Sequence, residues 1–448
     1  MNAAINSIKL KVDVWGQALN ISAQQLKILW LLCVGIICYA VFYIANIYLL
    51  QQISIADYGN FAVSLKVLAI LCALLTVAKQ FSLTIYMPQY EKSHRYIQKN
   101  GVVLWLSKNL ILSAIILSLG IASAWGIFYL LANETFMTVF QDSPFHFVLF
   151  FLPILTFFVV LACLALSQKN ISNISASILT ILPSLLVISV FILGIYTLNT
   201  TTFNTIALYF SSQAVVLILY IFLSQIHYAP NFAKGYSIGE HEHWYSRSSS
   251  YWISTLSNQV GVVISLFALE FLSPESLVGE YAIILLFVVA YNAVISPLHT
   301  YLASQVGILI DLNRERLQSL LKMINRLQVV VMLIGVLSAL LFGKQALSYL
   351  SDYTHHLYGA LILAMLLFGI SISTSLPLRI IMHSEIHHTA FTLKILRLLI
   401  SCILLSILVP HYGIIGAVIS DTIPMIITNL ISAHICQSRL NLNGLIIK

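Results

Sequence analysis

The chain has 448 residues, of which 60% are hydrophobic and 8% are charged, whereas soluble globular proteins carry about 25% charged residues. A chain this poor in charge cannot cover a surface that faces water, so the composition excludes a soluble globular protein and predicts an all-α membrane protein. The formal net charge is +7, but nearly all the cations flank apolar segments, so no nucleic-acid partner is expected.

Twelve apolar segments are each long enough to cross a hydrocarbon core about 30 Å thick, which takes about 20 helical residues. Six lie in the first half of the chain, at 27–50, 58–87, 102–131, 145–167, 174–198 and 203–226. Six more follow a polar stretch, at 251–271, 277–299, 323–343, 357–383, 389–409 and 413–436. We therefore predict about twelve transmembrane helices, arranged as a six-helix half (1–226), a cytoplasmic linker (227–250) and a second six-helix half (251–448).

Lys and Arg concentrate on one side of these predicted spans. With the N-terminus inside, the cytoplasmic segments hold most of the cations between spans, including Arg314, Arg316 and Arg379, whereas the opposite loops hold only Lys344. The positive-inside rule then predicts that both termini are cytoplasmic. The outer loops are short, which disfavours a membrane enzyme that acts on an outer substrate.

No cofactor or metal is expected. The six cysteines lie in apolar runs without Cys/His ligand spacing, so neither disulfides nor a metal site is indicated. The residues 240–243, Glu-His-Glu-His, fall in a polar stretch where we expect a solvated loop. A GxxxxGK[ST] loop is missing from the sequence, which argues against ATP hydrolysis by this chain.

Two segments that each lead into a predicted helix, about half the chain length apart, share a short sequence pattern. The first reads Ile53-Ser54-Ile55-Ala56-Asp57-Tyr58-Gly59-Asn60-Phe61-Ala62, and the second reads Leu272-Ser273-Pro274-Glu275 followed by Gly279-Glu280-Tyr281-Ala282. Six spans per half is an even number, so both halves enter the membrane in the same orientation. The pattern predicts a parallel repeat with a pseudo-two-fold axis along the membrane normal, and folds of that kind bind substrate between the halves, in a central cavity.

These two motifs, with Val409-Pro410-His411-Tyr412-Gly413-Ile414-Ile415-Gly416-Ala417-Val418, resemble the polysaccharide-lipid flippases, the Wzx-type O-antigen transporters of the multidrug/oligosaccharidyl-lipid/polysaccharide (MOP) exporter superfamily. The resemblance implies a protein of the bacterial inner membrane that moves undecaprenyl-pyrophosphate-linked oligosaccharide from the cytoplasmic to the periplasmic face. It also implies a cationic cavity and no enzymatic activity. Expected partners are the lipid-linked oligosaccharide, membrane lipids and other polysaccharide-assembly proteins.

Two alternatives stay open at this point. One is a multidrug or small-molecule exporter of the same superfamily, whose cavity should be lined by carboxylates. The other is a membrane polysaccharide polymerase or ligase, for which the short outer loops offer only His355 and His356 as candidates.

Charged side chains inside spans need a physical reason, because a charge at the bilayer centre costs about 2.5–3.5 kcal/mol on insertion scales. Lys66 lies well inside the second span, and Lys79 lies near its cytoplasmic boundary. Lys394 and Arg397 share a face of the eleventh span with His387. These cations are predicted either to bind a lipid pyrophosphate, which arginine holds through two parallel hydrogen bonds, or to contact lipid headgroups.

Asp421 on the twelfth span is predicted either to exchange a proton during transport or to neutralise a nearby cation. Uncharged polar residues also recur at helical spacing on several spans, among them Asn46, Asn258, Asn292 and His299. They are predicted either to line a cavity that accepts sugars or to make ordinary contacts between membrane helices.

Overall fold

The computed structural model describes residues 53–76, 93–131, 241–272, 276–350, 352–384 and 386–442, together with 32, 33, 36, 37, 39, 40, 43, 44, 46–51, 86, 90 and 156. The predicted spans 145–167, 174–198 and 203–226 lie outside the described residues, apart from position 156.

Helices make up nearly all of the described chain, and no strand occurs in it. They are α1 Ile55–Thr76, α2 Tyr96–Leu131, α3 His241–Leu272, α4 Ser276–Leu312, α5 Arg314–Leu350, a 3₁₀ helix at Asp352–Leu357, α6 Tyr358–Ser373, α7 Leu376–His383 and α8 His387–Leu440. Three described helical segments are long and apolar enough to cross a membrane, at 314–350, 354–383 and 387–440. The all-α membrane class predicted from the sequence is confirmed.

The 54-residue α8 consists of two antiparallel helices. Gly413 has φ 51° and ψ −122°, a conformation essentially confined to glycine, and Pro410 precedes it. The chain reverses there. The reversal is shown by a hydrogen bond between the two arms, in which Ser401 Oγ donates to the carbonyl oxygen of Ser420, 19 residues later, at 2.6 Å. The two arms correspond to the predicted spans 389–409 and 413–436.

Several helices extend beyond the predicted spans. The predicted polar connection 300–322 is almost entirely helical, because α4 continues to Leu312 and α5 begins at Arg314. Between them, Asn313 Oδ1 accepts a hydrogen bond of 3.0 Å from the backbone N–H of Arg316 and caps α5. Helix α3 likewise begins at His241, so residues 241–243 are helical and not a loop. Hydropathy locates apolar segments, whereas Arg, Glu, Gln and Lys also favour helix outside the bilayer.

Three apolar clusters are found among the described residues: two large ones at opposite ends of the helices and a small one that joins Trp105 of α2 to Trp244 of α3. The first is built from α1, α3, α4, α5, α6 and α8, and includes Leu266, Tyr281 and Ala417. The second is built from the far end of α4, the start of α5, and α7 and α8, and includes Leu320 and Ile380. Large apolar side chains on the outer faces of α2 and α5 are exposed, as expected where lipid covers a helix.

The repeat-related glycines meet where the two halves of the chain pack together. Helix α1 of the first half packs against α3 and α4 of the second half. A Cβ built on Gly59 would lie 2.9 Å from the backbone N of Gly279, and one built on Gly279 would collide with the carbonyl oxygen of Ile55. Helices α1 and α4 therefore cross in direct backbone contact.

Candidate functional site

Asp421 is buried in the second half of the chain, with 6% of its surface exposed. Its carboxylate accepts hydrogen bonds from the hydroxyls of Ser265 on α3 and Tyr281 on α4, one at each oxygen. The consecutive helices α3 and α4 therefore meet the second arm of α8, which is at least 140 residues later in the sequence, at one acidic side chain. Hydroxyl donors to an ionised acceptor give strong bonds, so this contact fixes the three elements together.

Arg397 lies beside this carboxylate. It interacts electrostatically with Asp421, and one of its terminal nitrogens lies 4.0 Å from the position that a Cβ of Gly261 would occupy. Ser265 Oγ is 3.1 Å from the carbonyl oxygen of Gly261, one turn earlier on α3. The guanidinium therefore lies close to the backbone of α3 at Gly261, at a distance where a Cβ would make ordinary van der Waals contact. Of the two roles predicted for Asp421, the one supported by this geometry is neutralisation of a nearby cation.

Two further basic side chains extend the positive charge along the interior. Lys394, one turn before Arg397 on α8, is only 5% exposed and interacts electrostatically with both Arg397 and Arg379. Arg379 on α7 also acts on His299 of α4, which is 5% exposed. We call Arg379, Lys394 and Arg397 the basic cluster. Like charges held this close repel one another, and the repulsion is strongest in a low-dielectric interior.

Part of the basic cluster is exposed at the surface of the protein. Arg379 is exposed and Arg397 is partly exposed, although both lie beside the buried Lys394. Asn292 on α4 is also exposed. In a membrane protein an exposed ionised or amide side chain faces water or lipid headgroups, because exposure to the hydrocarbon core would cost several kcal/mol.

The other residues predicted from the sequence occupy varied positions. Lys66 is half-buried on α1, and in the described part of the chain no hydrogen bond or ion pair joins it to the basic cluster. Asn46 is 7% exposed and accepts a hydrogen bond of 2.9 Å from the Tyr58 hydroxyl. The side chain of Asn258 and the whole of Lys79 lie outside the described residues.

His299 is directed at α5. One of its ring nitrogens lies 2.6 Å from the side-chain nitrogen of Gln328, which is itself fully buried. This contact ties α4 to α5, as the helix–helix alternative predicts for His299.

Three residues of this region were not predicted as site residues from the sequence: Arg379, Tyr281 and Gln328. Ser265 was predicted only as one of the uncharged polar residues that recur at helical spacing on the seventh span. Arg379 comes two residues after Pro377, at the polar end of an apolar run. The sequence therefore predicts that it is one of the cytoplasmic cations, whereas the structure places it in helix α7. Its position inside the predicted span 357–383 is the signal that could have identified it. Ser265 and Tyr281 are 156 and 140 residues from Asp421, and no local pattern announces those contacts.

No family model and no curated protein sequence matches the chain. Several solved structures are similar to the chain. A multidrug resistance MATE family transporter of the MOP superfamily in its outward-facing conformation is similar with a TM-score of 0.66 and 17% identity, over 93% of this chain and 96% of that one. The Vibrio cholerae MATE transporter VcmN gives 0.63 and 16%, over 92% and 96% of the two chains.

A third solved structure is a MOP superfamily transporter from Pyrococcus furiosus, described as having a binding pocket of reverse polarity that suggests a different function. It is similar to this chain with a TM-score of 0.64 and 16% identity, over 93% and 96% of the two chains. All three similarities span nearly the whole length, at identities that establish shared fold alone. The chain therefore has the two-halved, twelve-helix membrane fold of the MATE transporters of the MOP superfamily.

Proposed function

We propose that this protein is a flippase that translocates a lipid-linked oligosaccharide, carried on undecaprenyl pyrophosphate, across the bacterial inner membrane by alternating access. The observation that carries the proposal is the basic cluster, in which the buried Lys394 interacts with both Arg379 and Arg397 and the two arginines keep exposed surface. We infer that these arginines border a water-accessible recess. The transporter fold supports translocation over the polymerase or ligase alternative, since the structural neighbours are transporters.

The chemistry of the cluster suits a diphosphate. Holding three cations together in a membrane interior is costly, and a multiply charged anion relieves both the desolvation and the mutual repulsion. A guanidinium binds phosphate oxygens through two parallel hydrogen bonds, whereas an ammonium acts as a compact point charge. Two arginines around one lysine therefore provide both geometric and electrostatic recognition of a pyrophosphate.

The recess suits the rest of such a cargo. The glycan needs a wet passage with hydrogen-bonding groups, and Asn292 offers an exposed amide on α4. The polyprenyl tail needs no passage, because it can stay in the lipid. The sequence carries no ATP-binding loop, so we expect an ion gradient or the concentration of cargo to drive transport.

A multidrug exporter is the second candidate, because one of the similar structures is of a transporter described as a multidrug resistance protein. A cationic drug would need a carboxylate to bind, and Asp421 is the buried acid of the site. Both of its oxygens are already engaged by Ser265 and Tyr281, and Arg397 lies beside it. This occupancy favours an anionic cargo.

The proposal is tested by export of surface glycan from a deletion strain that carries variant genes. Arg397→Ala and Lys66→Ala should reduce export strongly while the amount of protein in the membrane stays unchanged. Lys322→Ala is the matched control, because Lys322 is exposed on α5 and lies outside the basic cluster. Full export by both Arg397→Ala and Lys66→Ala would remove these residues from the mechanism.

A further inference from the structure

One face of α5 is exposed along nearly the whole length of the helix. The residues on this face follow one another at steps of three, four or seven residues, so they lie on one side of the helix. They include Ser319, Lys322, Arg326, Val330, Leu337 and Lys344. The opposite side of α5 is buried and includes Leu317, Ile324 and Gln328. We call the first side the exposed face of α5.

The exposed face changes from polar to apolar and back again. Arg326 and Lys344 are 18 residues apart, which is five whole turns, so they lie on the same side of the helix, about 27 Å apart along its axis. Between them Val330, Leu333 and Leu337 are 49%, 58% and 56% exposed. A hydrocarbon core is about 30 Å thick. The apolar part of this face therefore fits the core, and Arg326 lies at the level of the lipid headgroups at one boundary.

The cations at the two ends of this apolar part differ in what holds them. The Lys344 ammonium lies 5.1 Å from the centre of the Tyr358 ring, a cation–π contact, and the Tyr358 hydroxyl donates a hydrogen bond of 3.0 Å to the carbonyl oxygen of Leu340. At the other end, the side chains of Lys322 and Arg326 form no hydrogen bond or ion pair within the part of the chain that the structure describes.

The helix itself offers no counter-ion to Lys322 and Arg326. Side chains three or four residues apart are neighbours on a helix, and no acid stands at those offsets from either cation. The acid nearest to them on α5 is Glu315, seven residues before Lys322, or about 10 Å along the axis. The two cations are themselves four residues apart, so they repel each other. An anion from outside the helix would relieve this repulsion.

We propose that Ser319, Lys322 and Arg326 form a binding site for the headgroup of an anionic phospholipid, whose acyl chains lie along the apolar part of the exposed face. A guanidinium binds phosphate oxygens through two parallel hydrogen bonds, an ammonium adds a point charge, and the serine hydroxyl adds a further donor. A phospholipid matches both parts of the face at once, because its headgroup lies at the boundary where its chains begin. A soluble phosphate would match the cations alone.

This site goes beyond the proposed function and does not take part in cargo binding. Lys322 and Arg326 are exposed on α5, whereas the basic cluster belongs to α7 and α8. Lys322→Ala therefore remains a valid control for glycan export. Lipid binding can be measured without cargo, so this inference can fail while the proposed function stands.

The site is tested by fluorescence quenching in lipid vesicles. Val330→Trp places a tryptophan one turn from Arg326 on the exposed face, and the signal of the six native tryptophans is subtracted with protein that lacks the substitution. Brominated phosphatidylglycerol, which is anionic, and brominated phosphatidylcholine, which has no net charge, are compared as quenchers. We expect the anionic lipid to quench the added tryptophan at a severalfold lower mole fraction. Equal quenching by the two lipids would overturn the proposal.

Arg326→Gln should bring the two lipids close to equal quenching. Arg316→Gln is the matched control and should keep the preference, because Arg316 is also exposed on α5 but lies ten residues before Arg326, rotated by about 80° around the helix axis. A preference that survives Arg326→Gln, or that Arg316→Gln lowers equally, would show that Arg326 holds no lipid. If Arg326→Gln lowers the amount of protein in the membrane, Lys322→Gln replaces it, with the same outcomes.

Soluble pyrophosphate distinguishes a lipid site from a site for free anions. Added to the vesicles at constant ionic strength, it should leave the preference for phosphatidylglycerol unchanged, because it cannot cover the apolar part of the exposed face. Loss of the preference on addition of pyrophosphate would identify a site for soluble anions and contradict the lipid proposal.

Discussion

Replacement of Asp421 by alanine removes the carboxylate that joins α3, α4 and α8, and its cost can be worked out from the contacts. Hydrogen bonds between membrane helices average about 0.6 kcal/mol, and bonds to a charged acceptor are about twice as strong. Loss of the bonds from Ser265 and Tyr281 therefore costs about 2–3 kcal/mol. Removal of the negative charge beside Arg397 adds to that cost.

The free energy of unfolding of the purified protein is to be measured by titration with a denaturing detergent, and Asp421→Ala should lower it by about 2–4 kcal/mol. Ser420→Ala is the matched control at the neighbouring position. Ser420 is fully buried, and its hydroxyl has no hydrogen-bond partner among the described residues. Its replacement should change the free energy of unfolding by less than about 0.5 kcal/mol.

The network itself is tested by a double-mutant cycle with Ser265→Ala. If the serine hydroxyl stabilises the fold through Asp421, its removal should cost about 1 kcal/mol in the natural sequence and much less in the Asp421→Ala background. Equal costs in both backgrounds, or an Asp421→Ala value no larger than that of Ser420→Ala, would refute the idea that this carboxylate holds the three elements together.

Three further predictions follow from single contacts. Gly413→Ala should lower the free energy of unfolding by about 1–3 kcal/mol in the same titration, because φ of 51° with ψ of −122° strains any residue with a Cβ. Gly359→Ala is the control and should leave the free energy of unfolding unchanged. Trp244→Phe should cost about 1 kcal/mol in that titration, since the indole N–H donates a buried hydrogen bond of 2.9 Å to the Tyr90 hydroxyl. Arg379→Gln should reduce glycan export as strongly as Arg397→Ala at unchanged protein level; undiminished export would exclude Arg379 from cargo binding.

The features of the fold predicted correctly are those that depend on composition and period. Long apolar runs required helices, and the shared Gly-x-aromatic-Ala pattern after two turns indicated the repeat whose glycines, Gly59 and Gly279, touch in the structure. The positions of helix ends were less accurate. Residues 300–322 are polar because they leave the bilayer, yet they remain helical because Leu302, Leu317 and Leu320 still pack in a protein core.

The sequence predicted which candidate residues lie close together only where they share one helix face. Lys394 and Arg397 are neighbours on one helix, so their spacing indicated a shared face. The residues that interact with them come from other helices. Arg379 of α7 interacts with Lys394, and Asp421, which lies beside Arg397, is bound by Ser265 of α3 and Tyr281 of α4. Such contacts depend on how the helices cross, and helix crossing cannot be predicted from local patterns in a single sequence. The functional roles proposed for all the predicted site residues stay predictions, namely Asn46, Lys66, Lys79, Asn258, Asn292, His299, Lys394, Arg397 and Asp421.

The central claim is that the interior of this protein carries an anionic, lipid-linked glycan. It is tested most directly with purified protein in liposomes, by following loss of a polyprenyl-pyrophosphate oligosaccharide from one leaflet and, in parallel, movement of a cationic dye. We predict that the natural protein moves the pyrophosphate-linked glycan, that Arg397→Ala moves it much more slowly, and that neither moves the dye. Transport of the dye without transport of the glycan would contradict the account and identify a drug exporter instead.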